Sequence, residues 1–336
     1  MANYLSYRNK NNHMKKALLL AGLFVFCFSF LQVKSFAGGE HPDTVYTGMY
    51  VTSIHDIDFK QKEYTVSFLL WLKYKKKEFD FLQNLEVPQA KSVNKSFSTV
   101  DSTGGRIYLL MKLQCVMKDS WKIGNFPFDR QNLRLSIENS QYDSKDLVFV
   151  PDTLGEHYDR RFTLNGWRID SFNISAGTKI YETAFGDESE SKPHTEYSTY
   201  KVKIGLKRDA GGLFWKMFLG MYVAFMIAYV CFYIHSDGID SRFGLSVGSL
   251  FAVVGNKYII DSALPESSSF TLVDTLHGLT LFFIFSVITC TAYTLRLVKQ
   301  DKIKQANRFD LIAAQVLLVA YVILNIWFIS QARSGS

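Results

Sequence analysis

Tyr200-Lys201-Val202-Lys203-Ile204-Gly205-Leu206-Lys207-Arg208 is a row of alternating apolar and basic residues. Shortly beyond it the chain becomes a long, largely apolar run from Leu213 to Ile234. The first stretch has the period of a strand with one buried face, because successive strand side chains point to opposite sides. The second is long enough to cross a hydrocarbon core of roughly 30 Å as a helix. The chain therefore changes solvent at this junction, and the segments on either side repeat the two patterns.

Upstream, Tyr64, Val66, Phe68, Leu70, Leu72 and Tyr74 alternate with Thr65, Ser67, Leu69, Trp71 and Lys73, and Ile107, Leu109, Met111, Leu113 and Cys115 form another apolar row. Turn residues punctuate the rows, as in Asp101-Ser102-Thr103-Gly104-Gly105 and Asn165-Gly166. No strand alternates regularly with a helical pattern, so a β-sandwich is expected over residues 38–208. Downstream, residues 209–336 carry three more membrane-length segments, Phe243–Leu264, Phe270–Val298 and Leu311–Ser330. Pro265 stops the second, and Ser267 to Ser269 offer N-caps for the third.

Residues 1–37 have the form of a secretory signal. Lys15 and Lys16 precede the apolar run Ala17–Leu31, and Ser35-Phe36-Ala37 places small residues at the cleavage position. The whole chain, 336 residues long, has a formal net charge of +7; loss of Arg8, Lys10, Lys15, Lys16 and Lys34 takes 7 − 5 to +2. No basic domain remains, which argues against a nucleic-acid partner. The linker holding Arg296, Lys299, Lys302, Lys304 and Arg308 belongs in the cytoplasm by the positive-inside rule. Four spans then leave both the N-terminal domain and the C-terminus outside, in the periplasmic or extracellular space of a bacterial inner membrane. Cys27 leaves with the signal, Cys231 and Cys290 lie in apolar runs, and Cys115 alone remains in the exported half. The chain has no His-Glu-x-x-His, phosphate loop, Gly-x-Ser-x-Gly or metal-spaced Cys/His cluster, so an enzyme is not expected, nor a cofactor or bound metal.

Between the strand rows stands Gly124-Asn125-Phe126-Pro127-Phe128-Asp129-Arg130-Gln131-Asn132-Leu133. It closely resembles the Phe-Pro-Phe-Asp loop of the pentameric ligand-gated ion channels, the Cys-loop receptor superfamily. Gly48–Tyr74 is similar to the family's first strand pair and Ala263-Leu264-Pro265 to the end of its pore helix. In animal members two cysteines bracket the loop; their positions fall here on Asp119 and Leu133, as in prokaryotic members that lack the disulfide. The resemblance implies an all-β, immunoglobulin-like extracellular sandwich, the neurotransmitter-gated channel ligand-binding domain, followed by an all-α four-helix transmembrane domain. It also implies a homopentamer of this subunit with four identical copies, a lipid bilayer, permeating inorganic ions, and a small-molecule or proton agonist.

In that frame the second apolar segment is the pore helix. Gly244, Gly248, Phe251, Gly255 and Ser262 share one helical face, with Asp240 at the cytoplasmic mouth. Small residues leave room for water, and a ring of Phe251 side chains closes such a pore by dewetting. An acid ring at Asp240 favours cations, whereas Arg242-Phe243-Gly244-Leu245 is similar to the pore-helix start of anion-selective members. Taken alone, Gly244-x-x-x-Gly248 reads instead as a helix-packing motif. Phe126, Pro127, Phe128, Asp129, Arg208 and Pro265 are the coupling candidates: Phe126 and Phe128 are expected against the loop around Pro265–Phe270, and Asp129 against Arg208. Trp167, Tyr181, Tyr197 and Tyr200 are the aromatic candidates for a ligand site, since aromatic faces bind cationic amines; core packing explains each of them equally well. A non-conducting membrane receptor using the same sandwich is the alternative, disfavoured by the short cytoplasmic segments.

Overall fold

A computed structural model of the chain describes residues 41–186, 194–235 and 238–335; the expected signal segment 1–37 lies outside them. Among the described residues nine strands form two sheets. One has the order β4-β5-β2-β1-β7 and the other β3-β6-β9-β8. The elements of the first are β1 (Asp43–Asp58), β2 (Glu63–Tyr74), β4 (Ala90–Thr103), β5 (Arg106–Lys118) and β7 (Leu147–Pro151). Those of the second are β3 (Leu85–Glu86), β6 (Arg130–Asn139), β8 (Trp167–Tyr181) and β9 (Thr195–Arg208). Pairing is antiparallel except for β1 with β7, which run parallel. This is the sandwich expected from the period-two rows.

The rows fill the core. Tyr64, Val66, Phe68, Leu70, Leu72 and Tyr74 of β2 are all buried, as are Ile107, Leu109, Met111, Leu113 and Cys115 of β5 and Tyr200, Val202, Ile204 and Leu206 of β9. The β4–β5 turn is the two-residue kind, with Thr103 paired to Arg106 across Gly104 (φ 66°) and Gly105 (φ 73°). Positive φ at both central positions matches the right-handed strand twist, and glycine accepts it without a Cβ penalty.

After β9 the chain enters α1 (Ala210–Val230), which continues through a 3-10 turn to Tyr233. Then come α2 (Ile239–Ala263), α3 (Leu272–Val298) and α4 (Ile303–Ser334). All four are long and apolar enough to cross a membrane. α2 packs on α1 and α3, and α4 on α3. The sequence placed the N-cap of α3 among Ser267–Ser269. The cap is instead Thr271, which forms a capping box with Asp274, while Ser267 and Ser269 bond each other in the preceding bend. The box needs an acid three residues after the cap, and only Thr271 has one.

Candidate functional site: the sandwich base and the α2 face

The loop Phe126–Asp129 hangs from the base of the sandwich and meets the helices. Arg208, at the end of β9, donates from Nε to Asp129 Oδ1 (2.7 Å) and from Nη2 to Asp129 Oδ2 (3.2 Å), a bidentate pair. The side chains are 10% and 2% exposed. Gln131 Nε2 donates to Asp129 Oδ2 (2.6 Å), so a third donor holds the carboxylate. The guanidinium carbon lies 3.9 Å from the Trp167 ring centroid, 4.7 Å from that of Phe59 and 4.8 Å from that of Phe126. Three aromatic faces thus enclose the cation, a geometry suited to a planar, weakly hydrated guanidinium.

Phe128 packs on Phe214 of α1 (5.5 Å between centroids) and under Arg333 of α4 (4.8 Å). The loop meets α3 through its backbone, where Leu272 donates to the Gly124 carbonyl (2.8 Å). Phe126, joined to Pro127 by a cis bond, lines a junction cavity with Ala263 and Leu264; Pro265 is buried and Phe270 exposed. Phe128 follows the strand exit toward α1, and the tip of α2 is left to Phe126. Where animal members close this loop with a disulfide, Asp119 here accepts from both the side chain and the backbone N–H of Arg134, so an ion pair spans the same ends.

On α2 the buried residues are Arg242, Ser246, Ser249, Val253 and Ile260, which face the bundle. Asp240, Gly244, Gly248, Phe251, Gly255 and Ser262 are all exposed. At about 100° per residue these two sets fall on opposite faces of the helix. Phe251 is 69% exposed. A Cβ added at Gly244, Gly248 or Gly255 would meet nothing within 4 Å, so these glycines serve no close packing inside the subunit. The outward face of α4 has the contrasting composition: Leu311, Val316, Val319, Ile323, Ile326 and Trp327 are large, apolar and exposed.

Arg242 turns inward. Only 2% exposed, it pairs with Asp310 of α4 (2.8 Å) and leaves Asp240 as the exposed charge at that end of α2. At the other end Lys257 pairs with Asp261 (2.5 Å) and also with Asp274 of α3 (2.8 Å). His277, three residues along from Asp274, bonds the Val273 carbonyl (2.8 Å) and Asn256 (2.9 Å). Asp274 is already committed to Lys257 and the Thr271 cap.

The four aromatic ligand candidates separate into two kinds. Tyr181 and Tyr197 stand edge to face (5.7 Å), with Phe185 against both (5.3 and 6.2 Å). Tyr181 donates to the buried Glu138 (2.8 Å), Thr199 donates to the same carboxylate (3.0 Å), and the Lys179 ammonium lies 4.4 Å from the Tyr181 ring centroid. Burial first, then the bond to Glu138, pushes the Tyr181 phenol up from its usual range. Tyr200 is wholly buried in the sandwich core and Trp167 is a wall of the Arg208 cage, so neither fronts a site with Tyr181. In β9 the row containing Tyr200 faces the opposite sheet, and a ligand cannot reach it without parting the sheets.

No family model matches the chain. A proton-gated ion channel of Gloeobacter violaceus is 24% identical over 315 residues, covering 86% of this chain and 84% of that protein. That likeness covers most of both chains. The chain is similar to this bacterial ion channel. Its architecture, a β-sandwich followed by four helices long and apolar enough to cross a membrane, is that of a membrane protein. The relative is an ion channel rather than an enzyme, in agreement with the motif reading.

Three contributors escaped the sequence reading. Tyr258, 76% exposed, lies on the α2 face of Phe251, seven residues on, a spacing legible in the sequence. Phe59 closes the Arg208 cage from a β1–β2 turn with no periodic signal. Glu138 is a buried carboxylate near the end of β6, on the strand face opposite the apolar row Leu133, Leu135, Ile137; an acid beside a buried row was the available clue.

Proposed function

We propose that the chain is the subunit of a homopentameric ligand-gated ion channel whose pore is lined by α2. The observation that carries this reading is the composition of the two outward faces. The exposed stripe of α2 through Asp240, Gly244, Gly248, Phe251, Gly255, Tyr258 and Ser262 is small or polar apart from two aromatics, with Val247, Val254 and Ile259 on its flanks; the outward face of α4 is dominated by large apolar side chains, with Gln315 and Ser330 as exposed polar residues among them. A ring of subunits turns the first toward a water-filled axis and the second toward acyl chains. Residues 38–208 then form the extracellular ligand-binding domain and 209–336 the pore domain, in an inner membrane with both ends of the mature chain outside.

Cation selectivity is favoured by the charges at the mouth of α2. Asp240 is exposed on the pore-facing side, whereas the Arg242 charge is balanced by Asp310 inside the bundle. Five exposed carboxylates attract cations. For the agonist, an ammonium-bearing small molecule suits the group formed by Tyr181, Tyr197, Phe185 and Glu138, where Lys179 already holds an ammonium over an aromatic ring. The gating stimulus is transmitted through Phe126, Pro127, Phe128, Asp129, Arg208 and Pro265 at the sandwich base.

Planar-bilayer recording from the purified protein, with a pH series and an amine screen, tests the reading. The expected result is agonist-evoked, cation-selective current from particles whose native mass is five subunits. A stable monomer or dimer, or the absence of current under every condition, refutes it.

A further inference from the structure

At the end of the helix bundle remote from the sandwich lies a cavity of ≈ 220 Å³. Its walls include Tyr233 and Ile234 from the end of α1, Arg242 of α2, and Asn307, Asp310 and Leu311 of α4. The Arg242 guanidinium uses only part of its fork. Nε and Nη2 donate to the Ile234 carbonyl (3.2 and 2.5 Å), and Nη2 also donates to Asp310 Oδ2 (2.8 Å). Nη1 is buried and has no partner among the described residues. A buried charged donor with no acceptor is costly, and such groups mark places where an oxygen from outside the chain belongs.

We propose that this cavity binds the phosphate group of an anionic phospholipid, with Arg242 Nη1 donating to a phosphate oxygen. Asp310 does not oppose this, because its two oxygens are held by Arg242 and by the Thr294 hydroxyl (2.5 Å). The cavity opens beside Tyr233 and Leu311, both exposed and apolar, so acyl chains have a path along α1 and α4. Lys304 and Arg308 lie three residues before Asn307 and Leu311, on the same side of α4, and supply positive charge at the rim. Basic pockets between helices at the cytoplasmic surface are where anionic headgroups bind. A lipid seated there braces the turn that carries Asp240, two residues from Arg242, and so links membrane composition to the pore mouth. The inference rests on the membrane orientation proposed above.

The test is native mass spectrometry of the full chain in mild detergent. It is titrated separately with dioleoylphosphatidylglycerol, dioleoylphosphatidylcholine and inorganic phosphate. Saturable phosphatidylglycerol binding about tenfold tighter than phosphatidylcholine is expected. Leu311→Trp, which fills the exposed mouth, and Arg242→Lys, which keeps a charge for Asp310 without the fork, should each weaken it by about tenfold. If Arg242→Lys does not fold, Leu311→Trp decides the matter alone. Equal binding of both lipids, unchanged binding in Leu311→Trp, or displacement of the lipid by millimolar phosphate overturns the proposal. The readout needs no current: selective lipid on a chain that never conducts refutes the channel reading and leaves this one standing, and a conducting chain without selective lipid does the reverse.

Discussion

Asp129→Asn removes one charge from the buried pair at the sandwich base while keeping the shape of the side chain. The Arg208 guanidinium then stays in a cage of Phe59, Phe126 and Trp167 with its counter-charge gone. Breaking one side of a buried ion pair costs about 3–5 kcal/mol. Asn still offers one acceptor oxygen to the 2.7 Å bond from Nε, which puts this variant near 3 kcal/mol, about a 150-fold shift in the folding equilibrium. Arg208→Gln loses both hydrogen bonds and all three ring contacts, each ring worth about 0.5–2 kcal/mol, and falls near the upper end. A charge swap does not rescue either variant, because a carboxylate at 208 would meet the negative faces of the rings. Thermal unfolding of the detergent-solubilised protein provides the assay, run on both single variants and on the Asp129→Asn/Arg208→Gln double. An interaction energy of about 1–3 kcal/mol in that cycle is expected. Losses below about 1 kcal/mol in both singles, the range of exposed pairs, or strict additivity would refute the reasoning.

Phe251→Ser should ease wetting of the constriction and raise basal current, and Tyr258→Ser should do so more weakly; Val253→Ser, on the buried face, should lower expression instead, and the reverse ranking in bilayer recordings would mean that the wrong face lines the pore. Asp240→Asn should shift the reversal potential in asymmetric salt toward lower cation preference while leaving assembly unchanged. Tyr181→Phe takes a donor from the buried Glu138, and agonist sensitivity should fall by about tenfold at constant expression in a dose–response series. Because burial and Glu138 raise the Tyr181 phenol above its ordinary value near 10, it remains a neutral donor at alkaline pH, and sensitivity should hold steady between about pH 7 and pH 9. Asp119→Ala opens the ion pair across the loop; since the Arg134 side chain is largely exposed, a loss of only about 1 kcal/mol is expected in the same melting assay.

Period and length alone determined the architecture. Alternation in Tyr64–Tyr74 and Tyr200–Leu206 dictates which side chains face the core, because a strand has only two faces, and the apolar runs after Arg208 admit only helices in a solvent that cannot hydrogen-bond the backbone. The stripe from Gly244 to Ser262 was legible for the same reason, since helical spacing maps sequence directly onto a face. Tertiary structure decided what no spacing encodes. Asp129 and Arg208 are far apart along the chain, and their pairing depends on β6 lying beside β9, with Arg130 opposite Lys207. The inward turn of Arg242 depends on Asp310 from a helix two elements away, and a basic residue beside Asp240 looks the same in sequence whether it faces the pore or the bundle. Trp167 and Tyr200 were equally ambiguous: an aromatic side chain that fills a core and one that fronts a ligand are the same residue, and only the sheet packed against it tells them apart.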